Sequence, residues 1–260
     1  MKPLLCCANL TMRFGGLTAL DSLDLDVLEG EILGLVGPNG SGKTTFFNVV
    51  TGIYRPDSGN VTFDGEDITG LAAQEIYYRG IARTFQRSRL CLDLSVFDNI
   101  MIGNHKALHL GFWHNIFKRR EFKAEYELFR EQATQLLCAL NPELADRILK
   151  PVGDLSMIDR RRVEICRALI SRPRLLFLDE PSAGMTPDET RQLMDEIVAL
   201  DTDGQAFSLV LIEHEMEVIR RITSRCVVLN FGRKLCEGAY ETVTADSQVQ
   251  EAYLGRELEE

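Results

Sequence analysis

The chain has 260 residues, 45% of them hydrophobic, and a formal net charge of −10. That length supports one large domain or a core domain with a smaller one attached, and the absence of any low-complexity tract argues against a disordered or fibrous chain. The acidic balance argues against a nucleic-acid partner, whose phosphates need a basic surface, although a local patch such as Lys118, Arg119 and Arg120 stands apart. Seven cysteines, odd in number and without a CxxC pair, argue against a zinc site or a disulfide framework and for a reducing cytoplasm. No apolar run approaches the roughly 20 residues a membrane span needs, and "MKPLLCCANL" does not read as a secretory signal, so a membrane role requires a partner.

In chain order, "LLCCANL" and "LDLDV" alternate with period two and predict strands, and "EILGLVG" is a continuous apolar run that predicts a buried strand. "GKTTFFNVVTG" predicts a helix closed by Gly52, "RPDSGNVTFDGEDI" a turn, a strand and a turn, and "GIARTFQ" a short strand ending at Gln86. From about Leu94 to Pro151 long amphipathic segments take over, with Phe122, Tyr126, Phe129, Ala133, Leu136, Leu137 and Leu140 on one helical face. A helix starting near Ser156 follows, then the strand "RLLFLDEP", a helix over 187–200, the strand "FSLVLIEH", a helix over 215–221, and the strands "RCVVLN" and "KLCEG". Strands alternating with helices imply an α/β fold with a parallel sheet covered on both faces, and the long amphipathic segments imply a helical subdomain inserted into it.

"GPNGSGKTT", residues Gly37, Pro38, Asn39, Gly40, Ser41, Gly42, Lys43, Thr44 and Thr45, fits the phosphate-binding pattern GxxxxGK[ST] and lies between a predicted buried strand and a helix, the context the pattern requires. Its glycines let backbone N–H groups turn toward phosphates, Lys43 reaches the β- and γ-phosphates, and Thr44 is placed to ligate Mg²⁺. A site that hydrolyses also needs a metal-side carboxylate and a group that positions water. "LLFLDEP" supplies Asp179, for Mg²⁺, and Glu180, as general base, at the carboxyl end of a buried strand. His214 stands at another strand end, where it could meet the γ-phosphate or serve a structural role, and Gln86 could bind Mg²⁺ and water through its amide oxygen. His105, His109 and His114 lie in a polar stretch without acidic companions and read as solvated. Arg160, Arg161, Arg162 and Arg167 likewise read as a solvated face and not as a nucleic-acid patch, and the helical insert with Phe112, Trp113 and Phe117 as a packing helix or a contact to lipid or to membrane subunits.

The order of these motifs, with Phe14 before the phosphate loop, then Gln86, Ser156, "LLFLDEPSAGMTPD" and His214, resembles the ATP-binding cassette (ABC) family over nearly the whole chain. "MRFGGLTALDSLDLDV", "ARTFQ", "EPSAGMTPDET", "LIEHEMEVI" and "AYLG" resemble its LivG-type branch, the ATPase subunits of branched-chain amino acid importers. The resemblance implies a single ABC ATPase domain, with 1–93 and 172–240 as nucleotide-binding core, 94–171 as helical subdomain and 241–260 as a helical tail. It implies in addition antiparallel strands at the N-terminal side of the mainly parallel sheet. It implies ATP and Mg²⁺ as ligands, stacking of adenine on Phe14, and a head-to-tail cassette dimer sandwiching two ATP molecules. It also implies two transmembrane permease subunits, engaged through the segment after Gln86, and indirectly a solute-binding protein, with the chain peripheral on the cytoplasmic face of the inner membrane.

One element departs from the family. Its signature, LSGGQ, corresponds to Leu155, Ser156, Met157, Ile158 and Asp159, so the serine is kept and both glycines are gone. A branched Ile158 adds bulk where the backbone should approach a phosphate, and Asp159 brings a carboxylate that suits a helix start but repels an anion. The degenerate signature suggests a heterodimer in which a different ATPase chain supplies an intact one. A regulatory subunit with little hydrolysis, or a soluble non-transport cassette ATPase, are the alternatives.

Overall fold

The computed structural model describes residues 2–84, 89–105, 119–200, 207–213 and 215–254, with side chains from 123 in the third stretch and to 253 in the last. The chain divides into two compact units, one formed by Met1–Arg83, Arg174–Glu180 and Gln205–Glu260, the other by Thr84–Pro173 and Pro181–Gly204. Residues 181–204 therefore group with the helical unit, whereas the sequence places them within the 172–240 part of the core.

The first unit holds two sheets. Strands β1 (Pro3–Phe14), β2 (Leu17–Leu28), β4 (Ser58–Phe63) and β5 (Glu66–Asp67) form an antiparallel sheet in the order β2-β1-β4-β5. The alternation read as short strands extends over 12 residues in each of β1 and β2: Leu23, Leu25 and Val27 turn inward while Asp24 faces out. The second sheet has the order β10-β9-β3-β8-β7-β6, built from β3 (Ile32–Val36), β6 (Ile81–Arg83), β7 (Leu175–Asp179), β8 (Ser208–Ile212), β9 (Arg225–Asn230) and β10 (Arg233–Gly238). Its ladders are parallel except for the β9–β10 hairpin. Every residue of β7 and β8 is buried, which is why these strands read as unbroken apolar runs.

Helix α1 (Lys43–Val50) follows β3 and anchors itself with Phe46 and Phe47, whose rings lie 6.4 and 4.7 Å from that of Phe177 on β7. The unit also carries α2 (Ala73–Tyr78).

In the helical unit α3 (Val96–Ile102) is capped by Ser95, whose hydroxyl oxygen accepts from the Asp98 amide. Fully buried Asn99 accepts from the Cys91 amide and donates to the carbonyls of Cys91 and Ser95, fixing the turn before this helix. Helix α4 (Arg119–Leu140) buries Phe129, Ala133, Leu137 and Leu140, four of the residues whose spacing predicted its apolar face. After α5 (Pro142–Ala145), helices α6 (Met157–Leu169) and α7 (Pro187–Val198) complete the unit; α6 packs against α3 and α4 and buries Val163, Ile165 and Cys166. Beyond β8 the first unit continues with α8 (Met216–Ile222), α9 (Tyr240–Thr244) and α10 (Ser247–Leu254). Among the described residues no helix is long and apolar enough to cross a membrane.

Candidate nucleotide site

Buried β3 delivers the chain into a loop that only glycine can close at two points. At Gly37, φ is +145° and a Cβ would stand 2.2 Å from the Leu229 carbonyl oxygen; at Gly42, φ is +109° and a Cβ would stand 2.6 Å from that of Ala19. The opposite side of the loop is open: a Cβ on Gly40 would meet nothing within 4 Å. Helix α1 then starts at Lys43 with no side-chain cap and no acidic residue in its first turn, so the positive end of its dipole is left for an anion. The Lys43 side chain turns back over the loop, where Nζ donates to the carbonyls of Gly37 at 2.7 Å and Pro38 at 3.0 Å. Buried Ser41 Oγ has no hydrogen-bond partner among the described residues, Thr44 is exposed and Thr45 half-buried. The orphaned Ser41 hydroxyl and the uncapped start of α1 fit a phosphate chain, whose oxygens would satisfy both, and the Lys43 cation folded over the loop suits the same anion.

Asp179 ends β7, two strands from β3, with its side chain buried. Burial pushes its carboxyl up from the usual range and neighbouring Glu180 adds to this, while the charges of Arg83 and Lys43 hold it down. Glu180 follows with φ +47°, a left-handed backbone rare for a residue with a side chain, and its N–H donates to the Ile212 carbonyl of β8 at 3.0 Å. Phe14, at the end of β1, is 42% exposed and meets Tyr54 edge to face at 5.3 Å. Tyr54 is a partner that sequence reading misses, because the two aromatics lie 40 positions apart and join only through the β1–β4 pairing and the turn after α1. Gln86 and His214 lie outside the described residues, as do His109, His114 and the stretch with Phe112, Trp113 and Phe117.

The signature segment starts a helix that caps itself, as the Ser156 and Asp159 spacing suggests. Ser156 caps α6, accepting from the Asp159 amide at 3.2 Å while its hydroxyl donates to Asp159 Oδ2 at 2.9 Å. Leu155 and Ile158 are both buried, so the bulk of Ile158 turns into the helical unit, and it is Met157, at 56% exposure, that stands out from the helix start. The Asp159 carboxylate is paired with Arg162 at 2.7 Å. The expectation of a solvated arginine face is corrected: Arg161 and Arg162 are buried, Arg161 against Glu164 at 2.7 Å and Arg162 against Asp159 and Glu196 at 2.7 and 2.6 Å. Partners three positions along the helix and 34 positions away neutralise charges that a local pattern assigns to water.

A parallel sheet whose strand ends present a glycine-turned phosphate loop and an Asp-Glu pair defines a nucleotide-binding ATPase cassette. Residues 20–183 match the family model for the ABC transporter, and residues 233–259 match that for the branched-chain amino acid ATP-binding cassette transporter. The chain belongs to the ABC transporter family. It is similar to the high-affinity branched-chain amino acid transport ATP-binding protein BraF of Pseudomonas aeruginosa and to LivG of Escherichia coli, each 38% identical and covered over 98% of both chains. Among solved structures, an ATP-binding cassette of an ABC transporter in its ADP conformation superposes with a TM-score of 0.83 at 30% identity, covering 98% of this chain and all of the other. The family resemblance, the α/β cassette fold and the ATPase activity expected from the motifs all stand with these findings.

Proposed function

We propose that this chain is the ATP-hydrolysing subunit of an importer for branched-chain or related amino acids, bound to two permease subunits on the cytoplasmic face of the membrane and served by a solute-binding protein. The observation that carries the reading is the glycine-closed loop between β3 and the uncapped start of α1, with Lys43 folded over it, in a chain 38% identical to BraF and LivG over 98% of its length.

In this reading Phe14 stacks on adenine, the loop amides and Lys43 hold the phosphates, and Glu180 takes a proton from the attacking water as the bond between the β- and γ-phosphates breaks. Thr44, Asp179 and Gln86 would hold Mg²⁺, which when bound neutralises charge on the phosphate oxygens. His214 would hydrogen-bond the γ-phosphate. The left-handed backbone at Glu180 and its bond to Ile212 support its role, because they fix the backbone from which the side chain leaves the strand end.

The signature half of the site is degenerate in this proposal: Ser156 and Asp159 are committed to each other and to the helix start, and Met157 projects where the family has glycine. A different ATPase chain with an intact signature would complete the site of Lys43, giving a heterodimer with one competent site. The test is uptake of radiolabelled leucine by cells carrying Glu180→Gln in place of the wild-type chain. Loss of uptake is expected, and unchanged uptake would overturn the assignment.

A further inference from the structure

Arg83 ends β6, the edge strand beside β7, and its side chain is 8% exposed. Nη2 donates to Asp179 Oδ2 at 3.2 Å, while Nη1 donates to Asn48 Oδ1 at 2.7 Å and to Thr51 Oγ1 at 3.2 Å. Thr51 is in turn held by its own bond to the Phe47 carbonyl at 2.6 Å, and the guanidinium lies 5.8 Å from the centroid of the Phe47 ring. One planar cation thus bridges the carboxylate at the end of β7 and the C-terminal half of the helix that begins with Lys43. Motif reading passes over Arg83, since its partners stand 32, 35 and 96 positions away.

We propose that Arg83 is a positioning residue for the magnesium side of the nucleotide site, fixing the Asp179 carboxylate against the phosphate-loop helix. The proposal rests on the assignment of Asp179 to magnesium made above. A carboxylate at a strand end can rotate about its side-chain bonds, and a bond to Oδ2 fixes the direction of its other oxygen. Partners of this kind orient metal-binding carboxylates, and losing one costs about 10–100-fold in metal affinity or activity. The fork geometry matters because Nη1 and Nη2 reach the two ends separately, whereas the donors of a lysine ammonium all sit on one nitrogen.

The test is nucleotide affinity of the purified full chain, titrated with a fluorescent ATP analogue in saturating Mg²⁺ and in excess EDTA. Arg83→Gln is expected to leave the EDTA affinity within about twofold of wild type and to lose about tenfold or more of the gain that Mg²⁺ brings, with Arg83→Lys in between. In an Asp179→Asn background Arg83→Gln should remove nothing further, because the residue acts through that carboxylate. A Mg²⁺ gain that is unchanged or larger in Arg83→Gln overturns the proposal, as does an equal loss in both conditions, which marks a structural role only. Should Arg83→Gln fail to fold, Asn48→Ala, which frees one end of the bridge, is expected to show the same selective loss to a smaller degree, and no selective loss there overturns the proposal. A wild-type chain that binds the analogue with no Mg²⁺ gain overturns the assignment of Asp179 itself, and this proposal with it.

Discussion

Replacing Arg162 by Met tests how the signature helix is held. The guanidinium is 3% exposed and bonded on two sides, to Glu196 on α7 through Nε at 2.8 Å and Nη2 at 2.6 Å, and to Asp159 through Nη1 at 2.7 Å. Met fills a similar apolar volume but leaves two carboxylates, each 14% exposed, facing each other without a cation. Removing one partner of a buried ion pair costs about 3–5 kcal/mol, against about 0–1 kcal/mol for an exposed pair. At roughly 2–4 °C per kcal/mol for a chain of this size, the melting temperature should fall by about 6–20 °C, read by circular dichroism with a urea titration as a second probe. Adding Asp159→Asn and Glu196→Gln should recover a large part of the loss, because the cost lies in the stranded charges and not in missing volume. A drop worth less than about 1 kcal/mol for Arg162→Met alone would refute the reasoning and return the arginines to a solvated face.

Glu180→Gln should lower ATP hydrolysis by about 10²–10⁴-fold in single-turnover assays while nucleotide affinity stays near wild type. Gly37→Ala should destabilise the chain and abolish nucleotide binding, since its Cβ would meet the Leu229 carbonyl at 2.2 Å, whereas Gly40→Ala at φ +78° meets no atom and should cost only about 1 kcal/mol in a thermal melt. Asp64 is held below the usual carboxylate range by its hydrogen bond to Arg174, and Glu189 by the Thr186 amide. Their folded pKa values lie below the unfolded ones, so the stability they contribute is present above about pH 4 and is lost as pH falls through the folded values. Arg174→Leu should therefore flatten the acid limb of a stability-against-pH curve.

Local pattern carried the buried strands, the glycine-rich turn into α1 and the cap at Ser156, because each is specified within about ten residues of chain. What it did not carry depends on partners brought together by the sheet and the helical unit. The run of Arg160, Arg161 and Arg162 has the composition of a surface, yet Glu164 and Glu196 bury two of the three. Ile158 reads as an obstacle at the helix start until the phase of α6 turns it inward, and Arg83 has no meaning until β6 lies beside β7. The α/β cassette fold was legible because alternation of strands and helices survives any shift of their ends. Contacts across tens of residues were not.

The central claim is that the half-site around Lys43 is sound and the signature around Ser156 is not. Steady-state ATP hydrolysis by the purified chain, compared with a variant carrying Met157→Gly, Ile158→Gly and Asp159→Gln, tests it most directly. The account predicts a nearly inert wild type and a variant that gains activity of its own. A wild type that hydrolyses ATP briskly without any other ATPase chain would contradict it.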